Sequence, residues 1–203
     1  VTSKSMDCSP NGRHSQATPQ IQTMSLVLAG TIIALWALGT TGNQANWRQV
    51  QVAHAPDSDN IYFAYTNECP IYISWGFQIF IDSDDNPTTG FQGSLAGVSS
   101  FPIGADYLVE GANVFQYNGT GMGDSWDWIT AVASEGNPVG RSWSGNTGEV
   151  FFPLHWIGKS SAGGGAMDFV LFGNNKYYVP GSTETDWYPD NAVNGASFRY
   201  SFE

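Results

Sequence analysis

The sequence predicts an all-β fold, an antiparallel β-sandwich with an extended N-terminal arm. Aromatic residues make up 14% of the 203 residues and charged residues only 12%, while 24 glycines and 10 prolines are spread along the chain. Short alternating or apolar runs are separated by turn residues throughout. This combination is typical of many short strands joined by tight turns.

The strand pattern starts near Asn46, so residues 46–203 are predicted to form one sandwich domain and residues 1–45 an arm. The segments WRQVQVAHA and NIYFAYTN alternate, and IYISWGFQIFI is a nearly all-apolar strand that we expect to be central and covered on both faces. ADYLVEGANVFQYNG predicts a hairpin turning at residues 110–113. The segments DSWDWITAVAS, RSWSGNTGEVFFPL, AMDFVLFGNN and ASFRYSFE complete about nine strands, with a single weak helical turn at LHWIGKS.

The arm contains a segment from Met24 to Leu38 without a charge in 15 residues. A signal-peptide core would need a basic region directly before it, and a membrane span would need about 18–20 residues. Length therefore favours one or two buried strands, which pack either on their own sheet or, in the arrangement narrowly preferred, in a groove of a neighbouring copy. The apolar side chains assigned to this assembly role are Met24, Leu26, Leu28, Ile32, Ile33, Leu35, Trp36 and Leu38.

The net charge is −11, with only seven lysines and arginines. A nucleic-acid partner needs a basic face, and an anionic membrane surface also attracts basic residues, so both partners are disfavoured. Cations and neutral polymers such as glycans remain as partners.

The stretch IFIDSDDNPTTGF places three aspartates directly after an apolar strand. Oxygen donors at alternate positions, followed by glycine, resemble the opening of an EF-hand loop, although no helix flanks them and position 12 is Gly93 rather than glutamate. Asp106, in GADY, opens the strand expected to return beside this one. The predicted cofactor is one Ca²⁺, and the alternative is a solvated acidic turn without metal. The predicted calcium ligands are Asp82, Asp84, Asn86, Thr88 through nearby backbone carbonyls, and Asp106.

The motifs IDSDDNPTTG and GADYL, followed by an aromatic hairpin and WDW, resemble a family of secreted bacterial and archaeal β-sandwich modules. That family is similar in fold to jelly-roll carbohydrate-binding modules and DOMON-like domains. The resemblance covers about Trp47 to the C-terminus, and residues 1–46 depart from it. It implies a sandwich with structural Ca²⁺ and usually no catalytic machinery, and it does not fix a ligand.

No catalytic motif supports an enzyme. The three histidines have no zinc-site spacing, no nucleophile elbow occurs, and sequence does not show whether two carboxylates lie about 5–10 Å apart across a cleft, as a glycosidase requires. We therefore expect a non-catalytic protein. The acids that could have formed such a pair are Asp106, Glu110, Asp124, Asp127, Glu135, Glu149 and Asp186.

Surplus aromatic residues suggest a glycan-binding surface, because flat rings stack on sugars. Trp126 and Trp128 could instead point to one face of their strand and be core. Trp187 and Tyr188, in the loop-like segment TETDWYPDN, are the better surface candidates.

Few lysines and many Asn, Gly, Thr and Trp residues indicate a secreted, extracellular or cell-surface protein. In an oxidising compartment we expect a Cys8–Cys69 disulfide, with free thiols or an intermolecular bridge as alternatives. Asn118 lies in a sequon and is permissive for glycosylation.

Two functions follow. The first is a structural subunit of a filamentous or cell-surface assembly, self-associated through the apolar arm in a donor-strand manner. The alternative is a carbohydrate-binding module. The long apolar arm favours the first.

Overall fold

A computed structural model describes residues 33–36, 47–55, 57–67, 77–93, 101–119, 127–130, 139–174, 185–189 and 195–202. The strands in these residues are, in chain order, β1 (Ile33–Trp36), β2 (Trp47–His54), β3 (Asn60–Asn67), β4 (Phe77–Asp82), β5 (Tyr107–Glu110), β6 (Asn113–Tyr117), β7 (Trp128–Thr130), β8 (Gly140–Ser144), β9 (Thr147–Pro153), β10 (Ala166–Asn174), β11 (Thr185–Tyr188) and β12 (Phe198–Ser201). A 3₁₀ turn, Leu154–Ile157, occupies the weak helical segment.

Two antiparallel sheets confirm the predicted sandwich. Sheet A has the order β1-β2-β3-β9-β8, and sheet B has the order β11-β10-β4-β5-β6-β7. The nine-residue strand β10 shares its remaining edge between two partners, since β12 pairs with its first half and β11 with its second half. Alternation drives this packing: in β3, and in β2 from Val50 onward, every second side chain is buried.

Strand β4 is central in sheet B, and all six of its residues are buried. It pairs with β10 on one side and β5 on the other. The prediction of a central strand covered on two faces is confirmed for residues 77–81, and residues 71–76 of the predicted strand lie outside the described ranges. The predicted hairpin turning at residues 110–113 is confirmed. The turn uses Gly111 at φ 61°, a left-handed conformation that glycine adopts readily.

Sheet B is covered on both faces by apolar side chains. One face packs on sheet A around a core that includes Phe63, Ile79 and Phe169. The opposite face carries a second cluster, here called the outer core. Its members are Phe80, Phe91, Phe101, Ile103, Ala105, Leu108, Trp128, Val170, Phe172 and Trp187.

The outer core corrects the predicted glycan-binding aromatics. Trp128 and Trp187 are 8% and 5% exposed and Tyr188 is fully buried, so none of the three presents a ring face to solvent. Within the segment interpreted as a loop, Thr185–Tyr188 form strand β11, and Trp187 of this strand contacts Phe172 with ring centroids 4.6 Å apart. The flanking proline, aspartates and asparagine suggested a loop, but pairing with β10 decides the structure. Trp126 lies outside the described residues.

The arm contributes strand β1 to the sandwich. Ile33–Trp36 pair antiparallel with Val52–Gln49 of the same chain. In this single chain the four residues join their own sheet, which does not test the preferred arrangement in a neighbour's groove. Exchange between two copies stays a prediction, and the other apolar arm residues lie outside the described ranges.

The difference in burial between two tryptophans predicts stability losses of different size. Trp187→Ala removes a buried ring from the outer core and should lower the free energy of unfolding by about 3–5 kcal/mol. Trp143→Ala, at a ring that is 43% exposed, should cost less than about 1 kcal/mol. Urea denaturation of both variants measures this, and equal losses would contradict the assignment of Trp187 to the core.

Candidate functional site

The acidic loop begins where β4 ends. Asp82, the last residue of β4, is 1% exposed, whereas Asp84 and Asp85 are exposed. Asp85 has φ 59°, which turns the chain sharply and which aspartate tolerates better than most residues. The loop thus starts from a buried carboxylate and carries two more outward.

Asp106 reaches the loop from the neighbouring strand. Its backbone N–H donates to the carbonyl of Ile81 at 2.8 Å, and β5 then pairs with β4. Phe91 and Ala105 exchange backbone hydrogen bonds of 2.7 and 3.1 Å, which close the base of the loop. The expectation that the GADY strand returns beside β4 is confirmed.

Two glycines let the loop and this strand approach closely. A Cβ on Gly104 would lie 2.2 Å from the carbonyl oxygen of Thr89 and 2.7 Å from that of Asn86. A Cβ on Gly90 would lie 2.5 Å from the carbonyl oxygen of Ala105. Backbone atoms cannot move aside easily, so a side chain at either glycine would push the loop away from Asp106.

The loop brings three of the predicted ligands together. One carboxylate oxygen from each of Asp82, Asp84 and Asp106 lies within 4.8 Å of the other two. Backbone donors orient them: the N–H of Asn86 donates to Asp82 Oδ1 at 3.2 Å and to Asp84 Oδ1 at 3.0 Å. The N–H and Oγ of Ser83, each at 3.0 Å, donate to Asp106 Oδ2.

Electrostatics make this cluster unfavourable without a cation. Burial is the main cause that raises the pKa of Asp82 to about 6. The charges of Asp106 and Asp84 also raise this pKa, whereas the hydrogen bond from the Asn86 N–H lowers it. Burial also raises the pKa of Asp106, where Asp84 acts in the same direction. Three oxygen donors converging in partial burial suit a hard metal ion, and the group could hold one.

Asn86 and Thr88 are placed differently from the three aspartates. The Asn86 Oδ1 accepts hydrogen bonds from the N–H and Oγ1 of Thr88, at 3.2 and 2.7 Å. These bonds stabilise the turn, and the ligand roles of both residues stay predictions.

Sequence reasoning missed two residues beside the cluster. Asp168 of β10 lies directly opposite Asp82, and Arg199 of β12 lies directly opposite Asp168. Arg199 forms ion pairs with Asp85 and, at 3.5 Å, with Asp168. Asp168 is the single charged residue in the apolar run AMDFVLF, and this could have marked it as a residue of the site. Nothing local indicated Arg199.

The other predicted sites remain separate from this one. Asn118 is exposed after β6, whereas Cys8 and Cys69 lie outside the described residues. Glu110 is buried at the far end of β5 and accepts a 2.5 Å hydrogen bond from Gln78, while Glu149 lies in sheet A. The structure therefore does not bring Asp106, Glu110 and Glu149 together.

Comparisons with protein-family models, with curated proteins and with solved structures found no match to the chain. Among the described residues, no helix has the length and apolar character needed to cross a membrane.

The raised pKa values predict that the metal-free protein gains stability on mild acidification. The folded state holds a proton on Asp82 up to about pH 6, whereas the unfolded chain releases it near pH 4. Protons therefore bind the folded state preferentially between these values, and stability rises as pH falls from 7 towards 4.

Thermal melts in chelator at pH 7 and pH 5 test this. Asp82→Asn, which removes the group, should be more stable than the original protein at pH 7 and should depend less on pH. An unchanged pH dependence in this variant would contradict the assignment.

Proposed function

We propose that this chain is a non-catalytic structural protein of an extracellular assembly. Calcium stabilises its sandwich, and its arm joins one copy to the next. The observation that carries the proposal is the position of β1: a strand from the N-terminal arm occupies an edge of sheet A, with β2 as its sheet neighbour.

An edge strand held in this way is exchangeable. Its pairing uses main-chain hydrogen bonds, which form equally well whether β1 comes from the same chain or from another. Ten residues separate β1 from β2, where two to five are enough for a hairpin. An extended linker of ten residues spans up to about 35 Å. Such a linker would let β1 reach the β2 edge of a neighbouring copy.

Exchange of β1 is a heterologous, head-to-tail contact. It propagates into a filament unless rotation closes a ring. The low positive charge and the apolar arm fit an extracellular building block better than a nucleic-acid or membrane partner.

Calcium is the ion that this donor set would hold. Asp82, Asp84 and Asp106 supply hard oxygen donors, and backbone carbonyls of the turn can add to them. Magnesium keeps most of its water and needs near-octahedral geometry, whereas calcium accepts six to eight oxygens in irregular arrangements. Bound calcium would neutralise the carboxylates that crowd the end of β4.

Calcium removal should destabilise the protein. Calcium at about 100 times its Kd adds about 2.7 kcal/mol to folding stability. For a chain of this size that corresponds to roughly 5–10 °C in Tm. Differential scanning calorimetry with calcium and with chelator measures the shift.

Asp84→Ala should abolish the calcium response, and Asp57→Ala, at an exposed aspartate in another turn, should leave it intact. If the original protein melts at the same temperature with and without calcium, the loop is an acidic turn only.

The arm should control association. Full-length protein should form species whose mass exceeds 21.9 kDa and grows with concentration, because each copy can offer β1 to another. Protein lacking residues 1–45 should remain a monomer and keep its calcium-dependent Tm. Light scattering over a concentration series distinguishes the two. A full-length protein that stays monomeric at high concentration would contradict assembly through the arm.

A polar groove on sheet A favours glycan binding as a second candidate function. Val50 and Val52 point into the core, so Gln49 and Gln51 lie on the opposite face of β2. Gln51, Ala64, Glu149 and Ser142 are aligned across β2, β3, β9 and β8. The groove has a volume of about 390 Å³, and its lining is Gln49, Gln51, Ala64, Tyr65, Thr66, Ser142, Trp143, Ser144, Thr147, Gly148 and Glu149.

Amides, hydroxyls and one carboxylate suit a neutral, polyhydroxylated ligand, and Trp143 adds an exposed ring. Affinity gel electrophoresis with neutral polysaccharides tests this candidate. Gln51→Ala and Glu149→Ala should reduce retardation, and Gln116→Ala, exposed on β6, should not. If no polysaccharide in the gel changes the migration of the original protein, the glycan-binding candidate is wrong.

A further inference from the structure

A row of three charged residues crosses three neighbouring strands beside the acidic loop. Asp82 on β4, Asp168 on β10 and Arg199 on β12 are direct cross-strand neighbours. Two aspartates facing each other are destabilising in a sheet, and an arginine beside them offsets that repulsion. This row links the C-terminal strand to the candidate metal site.

Asp168 depends on Arg199 for compensation of its negative charge. Its Oδ1 is buried and accepts no hydrogen bond among the described residues, and the Arg199 guanidinium lies 3.5 Å from it. The side chain of Asp168 is 20% exposed, so water compensates its charge incompletely.

The same guanidinium also holds the loop. Its Nη2 donates to Asp85 Oδ2, while Nη1 faces Asp168. Asp85 directly follows Asp84, one of the three aspartates that converge. Arg199 therefore bridges the sheet and the loop next to the position that a cation would occupy.

We infer that Arg199 is the counter-charge of the site: it screens the aspartates in the metal-free protein and lowers their affinity for a divalent cation. This inference rests on the proposed calcium site. The loop and the adjoining strands bring together five carboxylates, those of Asp82, Asp84, Asp85, Asp106 and Asp168, and one guanidinium, which pairs with Asp85 and Asp168. The group therefore carries a formal charge of −4 before metal binds. Without Arg199 the charge would be −5.

The direction of the effect follows from charge. A fixed positive group repels an incoming cation and occupies carboxylate oxygens that could otherwise help to attract it. Arg199 is about half exposed, so water and salt weaken this repulsion. A change of roughly two- to tenfold in calcium affinity is therefore expected on its removal.

Calcium titration calorimetry of the full-length protein at low ionic strength tests the inference. Arg199→Gln should bind calcium roughly two- to tenfold more tightly than the original protein, and the difference should shrink as salt is raised from about 0.01 M to about 1 M. Arg199→Lys keeps the charge and should bind within about twofold of the original. Arg141→Gln, in sheet A, makes the same net-charge change elsewhere and should leave affinity unchanged.

A second measurement separates this role from that of an ordinary structural ion pair. Arg199→Gln should melt at a lower temperature without metal, and calcium should raise its Tm by more than it raises the original protein's. Equal or weaker calcium binding by Arg199→Gln, with binding by the original protein retained, would overturn the role of Arg199 alone. Absence of calcium binding by both proteins would overturn the role and the proposed metal site together.

Discussion

The crowding of carboxylates at the end of a buried strand is the constraint on which this region of the structure depends. Asp82 cannot turn to solvent, because β4 is buried along its whole length and lies between β5 and β10. Both neighbours bring another aspartate to the same place. The loop responds with backbone N–H donors, a left-handed Asp85 and close packing against Gly104, and Arg199 supplies partial charge compensation. A bound cation would complete the charge compensation.

Burial of sheet B on both faces explains why the site lies where it does. The outer core covers the middle of the face of sheet B that points away from sheet A, so polar side chains occur at the two ends of that face. Gln78 and Glu110 satisfy each other at one end, and the aspartates gather at the other. Sheet A differs, since its outer face carries the polar groove and its edge is formed by a strand from the arm. We therefore propose that metal binding stabilises sheet B while association and any glycan contact use sheet A.

The sequence was informative where the determining interactions are local. The apolar run before Asp82 predicted a central strand, Gly111 predicted a hairpin, and the spacing of Asp82 and Asp84 with the GADY strand predicted which side chains meet. Long-range pairing was not accessible. Residue spacing does not reveal that Asp168 and Arg199 face Asp82, that TDWY pairs with β10, or that loop aromatics cover a second face. Those contacts depend on the register between strands that are separated along the chain, as Asp82 and Asp168 are.

A crystal structure of the protein grown in calcium would locate both the ion and its ligands. We expect one ion whose anomalous scattering matches calcium, bound by oxygens of Asp82, Asp84 and Asp106 at about 2.3–2.6 Å. Backbone oxygens of the turn should complete the coordination. Water alone among the three carboxylates, at a calcium concentration that saturates sites of millimolar affinity, would contradict this expectation.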